Sequence, residues 1–493
     1  MGFIDYFAKK KGYVLPSDKK RSFNGAGINR LTSSWVSQPK PIDADIKEGL
    51  RILRARSRDL AQNNDYARRF LSITRSNVIG PKGIKLQARS KDKGVLDRVA
   101  NEAIEREFAE WGKWGNLDVT GQHSWRSLLD LYITTLAKDG EVLLVQYTKW
   151  SGNKHRFALE FLDVETLDVD LNEKLKNGNT IRMGIEFNPR RKPVAYYFLT
   201  LSDSSESYQF GPKKYQRVLA HRVIHRFLHE SAWQSRGIPW MASTMLRLQM
   251  LGGYEEAELV SARVASSKMG FFETEGAGEY VGDDTDDEGN TITDATPGTF
   301  ETLPAGMKFS AFDPTHPSTA YDSFIKGCLR GVAAGVGMSY HTLANDLEGV
   351  NYSSGRLGAL EDREVWKSLQ DWIIESFCEG VYQTWLHNAL LVGIKTESGG
   401  TLRASNIEKY RRVSWQARRW AWVDPQKDMK SNIDGIDARI KSTSEVIRER
   451  GKDPEEVFEE IASENELLKS LGIQKIEDKE AANAEEIKPE DDQ

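Results

Sequence analysis

Two cysteines in 493 residues, Cys328 and Cys378, leave no material for a disulfide framework and fit a reducing compartment. Both read as ordinary packing residues. No apolar run approaches the ~18 residues that a membrane-crossing helix needs. A mean hydropathy of −0.55 with 39% hydrophobic residues demands a core assembled from amphipathic elements. The opening stretch, Met1-Gly-Phe-Ile-Asp-Tyr-Phe-Ala-Lys-Lys-Lys, places its charge after a very short apolar segment, the wrong order and length for a signal peptide. No G-x-x-x-x-G-K-[S/T] loop is present, and Gly80-Pro-Lys-Gly83 has neither its spacing nor its hydroxyl, so nucleotide hydrolysis is not expected. No G-x-S-x-G elbow is present either. Ser339 and His341 are neighbours with no acid placed to orient the imidazole. There is no internal repeat and no sustained heptad pattern.

What charge there is lies unevenly. The net value is −5, but residues 1–40 hold eight Lys/Arg against Asp5 and Asp18, and residues 475–493 hold eight Asp/Glu against three Lys. The result is a basic arm, a near-neutral body and an acidic tail. A basic arm can meet phosphate or an acidic partner, although solvated ends are the ordinary reading. The overall balance argues against a protein that coats DNA, which would be strongly basic.

The chain divides by pattern. Residues 1–42 are polar and punctuated by Ser, Gly and Pro. Over 43–77, Ile46, Leu50, Leu53 and Leu60 recur at helical spacing with Arg51, Arg54, Arg56 and Arg58 between them. Residues 84–88 alternate as a strand, and 95–114 and 124–138 read as helices. Strands follow at 141–147, 157–162, 184–187, 194–199 and 218–227, separated by turn signals such as Lys176-Asn-Gly-Asn179. The class is α+β with a mostly antiparallel sheet. Pro239 suits the first turn of a helix running to about 268. Residues 269–312 read as short strands and turns around an acidic loop. Helix returns over 318–336, breaks into a loop at 337–353 and resumes over 354–391. Residues 400–424 are basic and Trp-rich, two helices follow at 427–449 and 454–470, and the tail from 473 is poor in apolar residues.

Few residues suggest chemistry. His221, His225 and His229 fall at i, i+4, i+8, a metal-binding face on a helix, but the segment reads as a strand, which spreads them over more than ~10 Å. The acidic loop 283–288 lacks the closing Glu of an EF-hand and reads as a solvated loop. The run Arg411-Arg-Val-Ser-Trp415-Gln-Ala-Arg-Arg-Trp420-Ala-Trp422 interleaves cations with aromatics, as single-stranded nucleic-acid binders do, yet also fits structural packing or a contact between subunits.

Several further blocks run in fixed order along the chain. They are Arg54-Ala-Arg-Ser-Arg58-Asp-Leu with Asn63-Asn-Asp-Tyr66-Ala-Arg and Asn77-Val-Ile-Gly80, then His225 with Gln234-Ser-Arg-Gly237-Ile-Pro239 and Tyr254-Glu-Glu-Ala-Glu258. Leu303-Pro-Ala-Gly306 lies within a further block at 300–312. Gly337-Met-Ser-Tyr340 runs through Asp346 to Asn351-Tyr-Ser-Ser354-Gly-Arg356, and Trp420-Ala-Trp-Val-Asp424-Pro-Gln-Lys427 closes the series.

Together these blocks closely resemble the lambda-like portal proteins of tailed bacteriophages, and the resemblance implies a portal fold. It would comprise an α/β wing at 43–237, a first stem helix at 238–268, a clip at 269–312, a second stem helix at 313–336 and a tunnel loop at 337–353. A long wing helix at 354–395 and an outer wing or crown at 396–472 would follow, before an acidic tail from 473. It implies a non-enzymatic homo-oligomer of about twelve subunits closed by a heterologous interface. This ring would sit at one capsid vertex, without cofactor, metal or membrane. Its partners would be double-stranded viral DNA, capsid and scaffold proteins, a separate terminase motor and head-completion or tail proteins. The tunnel loop would present Ser339, Tyr340, His341, Asn345, Asp346, Glu348, Asn351 and Tyr352. Glu255, Glu256 and Glu258 would line the stem channel. Asp283, Asp284, Asp286, Asp287 and Glu288 would mark the clip that docks terminase and adaptor. A DNA pore should not grip, so acidic or neutral walls suit it. The competing classes are a metal-dependent nucleic-acid enzyme and a virion adaptor without a pore.

Overall fold

The computed structural model describes residue 30 and residues 39–200, 213–266, 321–420, 425–450 and 452–471, with the backbone of short strands between 270 and 311. Residues 1–29 and 31–38 of the basic arm, the acidic tail and the clip residues Asp283, Asp286, Asp287 and Glu288 lie outside the described residues.

The first helical stretch is two helices, α1 (Ile42–Asn63) and α2 (Asp65–Val78). Asn64 between them is extended, and its side-chain oxygen accepts the Ala67 N–H. That is an N-cap, which the unbroken apolar spacing hides. After β1 (Lys85–Ala88) and the two-residue strands β2 (Lys91–Asp92) and β3 (Val95–Leu96) come α3 (Arg98–Trp111) and α4 (Trp125–Asp139).

The centre of the molecule is β4 (Glu141–Thr148), paired antiparallel with β5 (Phe157–Leu162) and later with β11 (Val223–Phe227). Successive side chains of β4 point to opposite faces, and over Glu141–Val145 both faces are buried. Val142 and Leu144 enter the main core, and Leu143 and Val145 enter a second core. That second core lies against a five-stranded sheet ordered β10-β9-β8-β7-β6, made of β6 (Glu173–Lys174), β7 (Thr180–Arg182), β8 (Ile185–Phe187), β9 (Pro193–Leu199) and β10 (Tyr215–Leu219). The α+β class with antiparallel pairing holds, but the single strand expected at 218–227 does not. It is the end of β10, a 3₁₀ turn at Ala220–Arg222 and β11, so one run crosses between two sheets. The corner contains neither Gly nor Pro, which is why its sequence shows no break.

Beyond the sheets, α5 (Met245–Ser266) starts six residues after Pro239, because 239–244 form hydrogen-bonded turns. The backbone strands β12 (Gly270–Thr274) and β15 (Met307–Ala311) pair antiparallel, as do β13 (Asp284–Thr285) and β14 (Thr291–Ile292). Helix α6 (Tyr321–Val336) then returns, followed by a short α7 (Tyr340–Ala344) inside the expected loop. Helix α8 (Tyr352–Ile373) continues through a π turn at Ile374–Cys378 into α9 (Glu379–Val392), and Gly393 at φ +105° ends it. The chain closes with α10 (Ile407–Tyr410), β16 (Val413–Gln416), α11 (Pro425–Asp437), α12 (Thr443–Glu449) and α13 (Pro454–Ser470).

The main core is aromatic. Phe108, Trp111, Trp125, Phe377, Tyr382 and Trp385 meet edge to face or offset, with centroids 5.0–6.3 Å apart, arrangements worth ~0.5–1.5 kcal/mol per pair beyond area burial. Cys378 is buried there, and burial pushes its thiol pKa up, the condition of an inert packing cysteine. Cys328, on α6, is partly exposed.

Candidate functional site

Glu141 organises the segment at 236–237 that precedes α5. Helix α4 ends at Gly140, in the left-handed conformation at φ +87°, where the backbone of Gly237 and Ile238 crosses so closely that a Cβ at either glycine would overlap the other strand. Only glycine at both positions permits this crossing. It drops the next side chain, Glu141, into the interior, fully buried between the blocks that carry the family resemblance. Its Oε1 accepts Arg54 Nη2 at 2.6 Å and Arg236 Nε at 2.8 Å. Its Oε2 accepts the Gly237 amide at 2.8 Å and faces His225 Nε2 at 3.1 Å.

The guanidiniums are satisfied further out. Arg236 Nη1 donates to the Leu167 and Met183 carbonyls at 2.9 Å, and Arg54 Nε donates to the Asp139 carbonyl at 3.1 Å. Burial opposes the Glu141 charge, but the two guanidiniums and His225 outweigh it and hold the carboxyl well below the usual range. Burial keeps His225 neutral, below its ordinary value, against the pull of Glu141. Sequence reasoning missed Glu141, since a carboxylate opening a strand carries no motif. Arg54, His225 and Arg236, found only as resemblance, are its partners. Of the three spaced histidines, only His225 points inward; His221 and His229 are exposed. Among the described residues no group of His, Cys, Asp or Glu is placed to hold a metal.

Helices α5 and α6 lie side by side. Tyr254 stacks on Tyr321 at 5.8 Å and meets Phe324 edge-on at 5.1 Å. Gly335 faces the Thr244 methyl and Gly331 the Arg247 guanidinium, each so closely that a Cβ would overlap, so these glycines serve contact. Two of the three expected wall acids have partners. Glu255 accepts from Tyr66 Oη at 3.0 Å and Glu258 from Tyr254 Oη at 3.0 Å, while Glu256 is exposed.

The expected loop residues gather into a braced turn. Ser339 caps α7, and the buried carboxylate of Asp362 on α8 accepts from Ser339 N at 2.8 Å and from Thr342 Oγ1 at 2.6 Å. Asn345 ends α7 in the left-handed region, at φ +57°, with its side-chain oxygen held by Arg69 at 3.0 Å. Asp346 accepts from Tyr340 Oη at 2.7 Å, and its backbone oxygen meets His341 Nδ1 at 2.9 Å. Lys326 on α6 reaches Glu348 at 2.6 Å and Asp322 at 2.8 Å. Asn351 lies just before α8, and Tyr352 is its first residue.

The Trp-rich run packs. Trp415 on β16 stacks against Trp125 at 6.1 Å, and Trp420 stacks on Trp366 at 5.8 Å while donating to Asn77 at 3.0 Å. Gln370 adds bonds to the Val78 and Arg418 carbonyls at 3.0 and 3.1 Å. The first and last resemblance blocks therefore meet in one structural joint. Trp422 and Asp424 lie outside the described residues.

Residues 29–370 match the family model for phage portal protein, lambda family. Over 92% of the chain and 88% of the relative, the sequence is 35% identical to a probable portal protein of Halomonas phage phiHAP-1. It is 21% identical to portal protein B of Escherichia phage lambda, covering 91% and 90% of the two chains. Among solved structures, a chain of the virion of a native gene transfer agent particle aligns over 85% of this chain and 95% of its own length, at TM-score 0.40 and 12% identity.

Proposed function

This chain belongs to the lambda family of phage portal proteins, and from that premise we infer that it forms the ring at the unique capsid vertex through which viral DNA is packaged and ejected. The ring is a homo-oligomer of about twelve copies related by a heterologous interface that closes on itself. Its place is the virion; assembly takes place in the host cytoplasm. In this reading α5 and α6 are the stem, the segment between them is the clip that docks terminase and then the head-completion proteins, and 337–353 is the tunnel loop. Residues 43–237 with the long helix α8–α9 form the wing, and the elements after 396 the outer wing or crown. The chain contributes no catalysis. The terminase drives the DNA, and capsid and scaffold proteins hold the ring.

The observation that carries the assembly is a stripe on α5. Leu246, Met250 and Val260 are 73%, 67% and 56% exposed, and with Gly253 and Ala257 they fall at i, i+4, i+7, i+11 and i+14, on the face turned away from α6. Aligned apolar side chains on one face of a long helix are covered in an assembly rather than left to water. Replacing Leu246 and Met250 together by Glu is expected to leave the far-ultraviolet circular dichroism unchanged and abolish rings; rings that persist would remove the stem from the interface.

Glu256 is the acid of the three that remains to face DNA, with Glu348 beside Lys326 at the loop. A wall of this kind lets phosphate slide instead of holding it. Asp346→Ala with Glu348→Ala is expected to slow packaging or reduce DNA retention in assembled particles. An unchanged packaging rate and retention would remove the loop from this role.

A further inference from the structure

We propose that the cationic groove between α1, α2 and α4 receives helix α13 of a neighbouring copy of this chain, a contact that rests on the ring assembly inferred above. The groove has a volume of about 810 Å³. Arg68 and Arg75 line it from α2 and Lys138 from the end of α4, over an apolar floor of Leu71, Phe161 and Leu162. Its other cation, Arg58, is already engaged, donating to Asp139 at 2.8 Å and to Asp163 at 2.7 Å. Lys138 stands 3.9 Å from the same Asp139, which Arg58 already holds. Arg75 acts on Asp130 only through space, and Asp130 has its own partner in Arg126 at 3.6 Å. The ion pairs among the described residues therefore leave the charges of Arg68 and Arg75 open to a partner, above carbon surface that water covers poorly.

Helix α13 has the complementary chemistry. Its sequence PEEVFEEIASENELLKS holds six Glu against one Lys. Glu459 is tied to Arg98 at 3.0 Å, which fixes the helix to its own copy, and Glu460 and Glu464 project from its exposed surface. Between these acids Phe458 and Ile461 are 44% and 45% exposed. Apolar side chains flanked by carboxylates match an apolar floor rimmed by cations. The apolar part supplies the attraction, and the charges fix register and partner. Groove and helix belong to different elements of one copy, so the contact runs head to tail, the kind that closes a ring.

The test uses the full chain. Arg68→Glu with Arg75→Glu, and separately Glu460→Lys with Glu464→Lys, are each expected to raise the concentration for half-assembly by at least about tenfold, and the fourfold swap to restore it. Zero-length carbodiimide coupling of the wild-type ring should join Lys138 to Glu460 or Glu464 of another copy, as read by mass spectrometry, without relying on any variant's folding. If the wild type forms rings but the swaps are neutral and no such link appears, this contact is wrong and the ring stands. A wild type that never forms rings overturns both. If duplex DNA shields Lys138 from acetylation and assembly ignores the swaps, the groove belongs to nucleic acid and the contact between copies is refuted.

Discussion

Glu141 ties α1, β11 and the segment at 236–237 together. Its charge is fully buried among Arg54, Arg236, His225 and the Gly237 amide, and removing one partner of such a cluster leaves the others uncompensated at a cost of ~3–5 kcal/mol. Glu141→Gln is expected to lower stability by about that amount in urea unfolding, whereas Glu464→Gln on the exposed face of α13 should change it by less than ~0.5 kcal/mol. Acid acts on this cluster and on two further buried sites, His155 facing Glu107 at 3.0 Å and Asp168 accepting from Tyr215 Oη at 2.6 Å. His225 and His155 are both held below the ordinary histidine value of 6.5 by burial, so the unfolded chain binds more protons than the native one and stability falls as pH drops through 6.5. Glu141, Glu107 and Asp168, all depressed by their cationic or hydrogen-bonding partners, add a second loss below the ordinary carboxylate values of 4.5 and 3.8. His225→Gln keeps a donor toward Glu141 but cannot titrate. It should flatten the decline between about pH 7 and 5 without touching the acid limb, and an unchanged profile would mean that His225 is not held neutral.

At the scale of elements, two of the three glycines of α6, Gly331 and Gly335, make opposite predictions from one structure. A methyl at Gly335 meets the Thr244 side chain, itself buried, whereas one at Gly331 meets only the far end of Arg247. Gly331→Ala should therefore stabilise by up to ~1 kcal/mol through helix propensity, while Gly335→Ala should destabilise by ~1–3 kcal/mol through overpacking. Lys326 couples α6 to the loop through Glu348, so Lys326→Met should speed amide exchange at 345–351 and leave α8 unaffected. What was legible at this scale was periodicity: α4, β5 and α13 fall within a residue or so of their expected limits. Breaks made without Gly or Pro were not legible. Asn64 splits α1 from α2 by a cap, and the turn at Ala220–Arg222 moves one strand between sheets. Pro239 started a series of turns rather than a helix because its neighbours are fixed by the Gly140 crossing, which is a tertiary constraint.

At the scale of the whole molecule, the motif blocks turn out to be joints. Arg54, His225 and Arg236 converge on Glu141; Asn77 meets Trp420; and Ser339 meets Asp362. Sequence revealed the blocks but not their meeting points, because each joint closes over tens to hundreds of residues and its other half, Glu141, Gln370 or Asp362, has no motif of its own. The exposed stripe on α5 was hidden for the opposite reason: a helix with apolar residues on two sides has little periodic signal, and only the packed structure separates the side facing α6 from the side left open. The direct test of the central claim is electron microscopy of the purified chain with particle mass measured on the same sample. A portal protein should give rings with a central hole and a mass near twelve times 55.8 kDa. A uniform 55.8 kDa particle that forms no ring even with scaffold protein added would contradict that claim.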